Sequence, residues 1–105
     1  MAGIRFSENF VEEFEEIAKE TDKEVLKGLL KELKKVDSKI DNIDINPTYV
    51  RELKNFSQID DDGYIYKFDE LRLVCLLENQ ELRFIGISTV DKIREMFRVE
   101  NDELE

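Results

Sequence analysis

The amino-acid sequence predicts an α+β fold: an N-terminal strand and an antiparallel helix hairpin packed on a three- to four-stranded antiparallel sheet, with a short C-terminal helix. Three observations carry that prediction. Apolar residues recur with helical spacing from Phe10 to Val36. From Tyr64 to Ile87 the spacing drops to that of strands, and from Val90 it becomes helical again. Two helices on one face of such a meander form an α+β sandwich.

The elements follow in order. Gly3-Ile4-Arg5-Phe6 reads as a short strand, and Ser7 as the N-cap of the helix after it. Over 8–20, Phe10, Phe14 and Ile17, with Val11 and Ala18, share one helical face. Thr21-Asp22-Lys23-Glu24 has the form of a capping box opening a second helix over 22–36, with Val25, Leu26, Leu29, Leu30, Leu33 and Val36 as its stripe. The break between the helices is short, so they pair antiparallel. Residues 38–47, which include Pro47, read as irregular, and 49–56 as a strand or an irregular edge.

Asp60-Asp61-Asp62-Gly63 is a turn signal. Tyr64–Phe68 follows as a strand, Asp69-Glu70 as a two-residue hairpin turn, and Leu71–Leu77, apolar except for Arg72, as the central strand. Residues 78–81 turn the chain into the last strand, Leu82–Ile87. Ser88 or Thr89 caps a final helix whose Val90, Ile93 and Phe97 face the core. The expected core is Phe10, Phe14, Ile17, Leu26, Leu29, Leu30, Leu33, Val74, Leu76 and Phe84. One domain spans 1–98, and an acidic tail spans 99–105.

Composition narrows the chemistry. With 105 residues, 41% of them hydrophobic, and only one Pro and four Gly, the chain suits one packed core without low-complexity linkers. Histidine is absent, so no Ser-His or Cys-His pair and no imidazole metal ligand is possible. Cys75 is the only cysteine, which rules out an internal disulfide and a cysteine zinc site. It lies in an apolar strand, where a thiol is buried and inert. No cofactor is implied. No run approaches the roughly 20 apolar residues of a membrane helix, and these features together give an expectation of a cytoplasmic protein with no membrane partner. The formal net charge of −10 predicts weak binding to free nucleic acid, because phosphate neutralisation needs Lys and Arg.

Several features have a functional and an ordinary reading. Lys23, Lys27, Lys31 and Lys35, with Lys34 beside them, could track phosphates, but such a stripe is more often a solvated face or lies opposite Glu12, Glu13, Glu16 and Glu20. The Asp60–Gly63 run lacks the first ligand and the final Glu of a calcium loop, and strands flank it. Tyr64, Tyr66 and Phe68 share a strand face and could stack bases, yet a face covered by helix fits better.

The element order and three stretches of local sequence resemble the RelE/ParE toxin superfamily of toxin–antitoxin modules. They are Ile4-Arg5-Phe6-Ser7-Glu8-Asn9-Phe10, Arg51-Glu52-Leu53-Lys54, and the hairpin Tyr64–Leu77, where Arg72 follows the turn; the segments Phe84–Ile87 and Met96–Arg98 extend the likeness to roughly residues 3–98. The resemblance implies a metal-independent messenger-RNA endoribonuclease acting on ribosome-bound messenger. A ribose 2′-OH attacks the adjacent phosphate while cations offset the developing charge. Carried over by position, Arg72 matches the Arg after the hairpin and Lys67 a basic position on the preceding strand. Lys92, beside Asp91, lies where the family has a later basic residue. The family's terminal Tyr falls at Phe97, which has no hydroxyl. The gyrase-poisoning branch needs no such set.

The resemblance also implies a protein partner, either an antitoxin or a target protein. A contact segment facing this acidic chain should be apolar or basic. The competing reading is a non-catalytic acidic inhibitor on the same fold, occupying a basic groove of a nucleic-acid enzyme; the net charge and the missing hydroxyl favour it.

Overall fold

A computed structural model describes residues 3–41 and 44–97. The order is β1 (Gly3–Phe6), α1 (Glu8–Ala18), α2 (Lys23–Ile40), α3 (Pro47–Glu52), β2 (Phe56–Gln58), β3 (Gly63–Phe68), β4 (Leu71–Glu78), β5 (Glu81–Thr89) and α4 (Val90–Phe97). The strands form one sheet in the order β1-β5-β4-β3-β2. Strands β2 to β5 are antiparallel neighbours, as expected, and β1 adds to β5 in parallel, which makes the five-stranded sheet mixed. No described helix is long and apolar enough to cross a membrane. The acidic tail expected over 99–105 and the side chain of Phe97 lie outside the described residues.

Local chemistry accounts for the helix starts. The Ser7 side chain accepts from the Phe10 amide, and the Thr89 side chain from the Lys92 amide at 3.1 Å. At α2 the cap is Asp22, accepting from the Glu24 amide at 2.8 Å, so the Thr21 capping box does not form. The segment read as a strand or irregular edge begins with helix α3. Asn46 caps it by accepting from the Tyr49 amide at 2.9 Å, and Pro47 sits in the first turn, where its missing N–H costs nothing.

Helix α2 also runs four residues past Val36, because Ile40 is a core residue at 0% exposure. Its buried row is Leu29, Leu33, Val36 and Ile40, at i, i+4, i+7 and i+11. Leu30 is 52% exposed, which corrects its placement in the core, and Leu26 is half-buried. Leu30 lies toward α1, beside Phe10, Val11 and Phe14.

Strand β4 resolves the same ambiguity in the sheet. Leu71, Leu73 and Cys75 are at 1% exposure or less and form the core with Phe10, Ile17, Leu29, Leu33, Val50 and Phe84. Val74 and Leu76 are half-buried on the opposite face, not in that core. Tyr64 and Tyr66 are buried under the helices, as the ordinary reading of that face required.

The last strand carries a bulge. Val74 pairs with Gly86 and Cys75 with Phe84, so Ile85 is an extra residue and the buried set shifts from Leu82 and Phe84 to Ile87. Alongside, β1 stops at Phe6 and α1 takes over its hydrogen bonding. The Ser7 amide donates to the Phe84 carbonyl at 3.0 Å, the Asn9 amide group to the Ile85 carbonyl at 2.8 Å, and the Glu13 carboxylate accepts from the Ile87 amide at 3.1 Å. Gly86 leaves room for Glu13, since a β-carbon there would lie 3.0 Å from its Oε1.

Two measurements check this packing. Leu29→Ala should cost about 2–5 kcal/mol of stability and Leu30→Ala under about 1 kcal/mol. Chemical denaturation reads both, and the reverse order would relocate the buried row. Glu13→Ala should cost about 1 kcal/mol and speed hydrogen exchange at the Ile87 amide; unchanged exchange there would mean that the carboxylate does not close the edge.

Candidate functional site

The sheet has one face under α1, α2 and α3, whose buried residues join the core cluster, and one face that these helices leave open. Strand alternation decides what the open face presents. At one end Lys67, Arg72 and Ser88 are successive cross-strand partners. The middle row is Ile65, Val74 and Gly86, and the far row is Leu76, Arg83 and Arg5. Two of the three expected site residues, Lys67 and Arg72, therefore stand side by side.

Arg72 is 8% exposed, and its Nη1 donates to the carbonyls of Asp69 at 2.9 Å and Leu71 at 2.8 Å. Asp69 has a φ of 53°, the left-handed conformation that a two-residue hairpin turn needs. The amide of Val90, at the start of α4, donates to the Glu70 carbonyl at 2.9 Å. The turn carbonyls are thus held by an arginine from within the hairpin and by α4 from outside it.

Lys92 lies one turn into α4, close to Ser88 in sequence, and is exposed. It lines a cleft of about 330 Å³ with Glu12, Glu13, Glu16 and Ser88, at the β5 edge beside α1. This setting is acidic, so Lys92 is separated in character from the Lys67–Arg72 pair.

Arg5 and Arg83 are cations of the open face that the sequence reading did not single out. They are Cα partners on β1 and β5, and Arg5 is ion-paired with Glu81. Both line a cleft of about 720 Å³ with Ser7, Asn9, Glu78 and Glu81. The signal was present: in Ile4-Arg5-Phe6 and Leu82-Arg83-Phe84 a cation sits between two apolar residues at strand period.

The strand residues of this face carry four cations, Arg5, Lys67, Arg72 and Arg83, against two carboxylates, Glu78 and Glu81. On a chain of net charge −10, acidity is concentrated elsewhere. Among the described residues no ion pair joins the α1 glutamates to the α2 lysines: Lys27 pairs with Glu24 at 3.9 Å and Lys35 with Glu32 at 3.4 Å, both within α2. Chemically, the open face can bind and stabilise negative charge through fixed cations. Among the described residues, no three carboxylates or thiols are grouped as a metal site.

No protein-family model matches this chain, and no curated protein matches it. Among solved structures it is similar to the solution structure of a conserved hypothetical protein, HP0894, from Helicobacter pylori. The TM-score is 0.56 at 14% identity, over 87% of this chain and 97% of the other. At that identity the likeness is one of fold.

Cys75 supplies a test of the core beneath the site. Burial pushes its thiol from an ordinary value of 9.0 up to about 12. The unfolded chain therefore loses this proton first, and stability should fall as pH rises from 9 toward 12. Native protein should resist thiol reagents until denaturant is added, and rapid labelling of the native state would place Cys75 outside the core.

Proposed function

We propose that this chain is a RelE/ParE-like toxin whose working surface is the open face of the sheet. The observation that carries the reading is the charge segregation: an acidic chain keeps the accessible cations Arg5, Lys67 and Arg83, with the buried Arg72 beside Lys67, on the strand face that α1, α2 and α3 leave open. That arrangement answers the objection raised by the net charge, because a phosphate meets the local field of the face at short range and the acidic helices are screened beyond about a Debye length. The likeness to the Helicobacter pylori conserved hypothetical protein supports the fold on which this reading rests.

On this reading the reaction is metal-independent cleavage of messenger RNA: the ribose 2′-oxygen loses its proton to solvent and bonds to the adjacent phosphorus, the P–O5′ bond breaks, and the products are a 2′,3′-cyclic phosphate and a 5′-hydroxyl protonated from solvent. Lys67 neutralises the scissile phosphate. Arg72, tied to the turn carbonyls, holds the hairpin and its neighbour Lys67 in place. Arg83 and Arg5 receive phosphates further along the strand. The protein partner is an antitoxin, and the site of action is the translating ribosome in the cytoplasm.

A second reading is favoured by two observations. Arg72 is engaged with its own turn, and Lys92 stands among glutamates. Both fit a non-catalytic interaction protein on the same fold, which binds a basic target.

Inducible expression in bacteria separates the two. The toxin reading expects growth arrest and cleaved messenger RNA from wild type. Lys67→Ala should slow cleavage by about 10²- to 10³-fold at an unchanged thermal midpoint. A wild-type chain that is harmless with no antitoxin present sinks the catalytic reading and leaves the interaction protein.

A further inference from the structure

A second feature of the surface lies away from the sheet's open face. Phe6, Phe10, Val11, Phe14 and Leu30 line a wholly apolar groove of about 110 Å³ between α1 and α2. Three of them are strongly exposed: Phe6 at 45%, Val11 at 46% and Leu30 at 52%. These side chains form one contiguous apolar strip on a highly charged chain, a candidate contact surface.

The groove has walls of opposite sign. On α1, Val11 has Glu8 three residues before it and Glu15 four after. On α2, Leu30 has Lys27 three before and Lys34 four after. These are the spacings at which side chains neighbour one another on a helix surface. All four charges are exposed; Lys27 has a long, solvent-exposed contact to Glu24 of its own helix at 3.9 Å, and among the described residues no ion pair joins α1 to α2. The helices run antiparallel, since Asp37 near the end of α2 accepts from the Ile4 amide just before α1 begins. Glu8 therefore lies toward the Lys34 end of the groove, and Glu15 toward the Lys27 end.

We infer that this groove is a self-association face, closed by a second copy of the chain about a two-fold axis running along it. Such an axis keeps position along the groove and exchanges its two walls. It lays α1 of each protomer on α2 of its partner, as an antiparallel four-helix arrangement. Val11 then meets Leu30 of the other copy, and Glu8 and Glu15 meet Lys34 and Lys27 of the other copy. A surface that is apolar along its middle, negative on one wall and positive on the other is complementary to itself under this operation. Helices of 11 and 18 residues, at about 1.5 Å per residue and about 10 Å apart, offer a face on the order of 500 Å² per copy, at the small end for a specific interface. The expected dimer is therefore reversible and salt-sensitive, in the micromolar range.

Sedimentation velocity over a concentration series tests this, with circular dichroism confirming that each variant is folded. Wild type should dimerise, and Val11→Ser combined with Leu30→Ser should weaken association by more than about tenfold. The charge variants are the sharper test, since all lie on exposed positions. Glu15→Lys and Lys27→Glu should each weaken the dimer by about tenfold, and the two together should restore it to near wild type. A chain that stays monomeric to about 200 µM overturns the inference, since even a weak specific dimer would form there, and leaves the groove to a different partner. So does a dimer indifferent to the groove variants, or a double charge reversal that fails to restore association. None of these outcomes depends on the toxin reading, which growth arrest tests separately.

Discussion

The structure depends on one pairing between the two ends of the chain: β1 laid parallel against β5. The strand itself is short, with four Cα partners from Gly3–Glu81 to Phe6–Phe84. Four ladder positions alone are weak support for a contact that closes most of the chain into a loop. What completes it is α1. Once β1 ends, Ser7, Asn9 and Glu13 continue hydrogen bonding along β5 as far as Ile87. A strand edge left bare there would invite pairing with another chain. Here a helix closes it, so the same contact that fixes α1 over the core also protects the sheet.

That placement divides the surface. With α1 fixed beside β5 and α2 packed next to it, the helices cover the Leu71–Leu73–Cys75 face and leave the other face open. The apolar sides of the helices are spent mostly on the core, and the remainder, around Phe6, Val11 and Leu30, stays exposed between them. Net charge, which is a property of the composition, becomes a poor guide once the fold has sorted the charges. The α2 lysines and α1 glutamates lie on the helix side, and Arg5, Lys67, Arg72 and Arg83 lie on the strand side.

Much of this was legible in the residues. The helix pair, the hairpin at Asp69-Glu70, the buried Cys75 and the Ser7 cap follow from spacing and cap chemistry. Three parts were not legible, each for a physical reason. Leu29 and Leu30 are adjacent, so one belongs to the buried row and the other to its margin, and the helical period does not say which. Strand β4 is apolar on both faces, so alternation could not identify its core side, and Val74 and Leu76 were placed with the wrong neighbours. The bulge at Ile85 changes which residues of β5 face inward, and nothing in Leu82–Ile87 announces it except Gly86. Helix α3 did have a signal, since Asn46-Pro47 is a cap followed by a residue suited to a first turn. In the candidate site, Lys67 and Arg72 were identified from the sequence. Arg5 and Arg83 needed the β1–β5 pairing, which joins distant parts of the chain, before they could be seen as neighbours.

Arg72 shows how the fold and the site are coupled. Its guanidinium spans from the start of β4 back to the carbonyls of Asp69 and Leu71, so it holds the turn that sets the β3–β4 register. That register places Lys67 opposite Arg72 and, one strand further, Ser88 opposite Arg72. The turn is also where α4 docks, through the Val90 amide and the Glu70 carbonyl. A cation at this position therefore does structural work whether or not an anion ever approaches the sheet. The buried Arg is costly unless its hydrogen bonds are made, and the carbonyls of Asp69 and Leu71 supply two of them. Lys67 needs no such anchor. It is half-buried, on the strand face itself, and its position follows from Arg72. The division of labour is that the arginine builds the corner and the lysine is presented beside it.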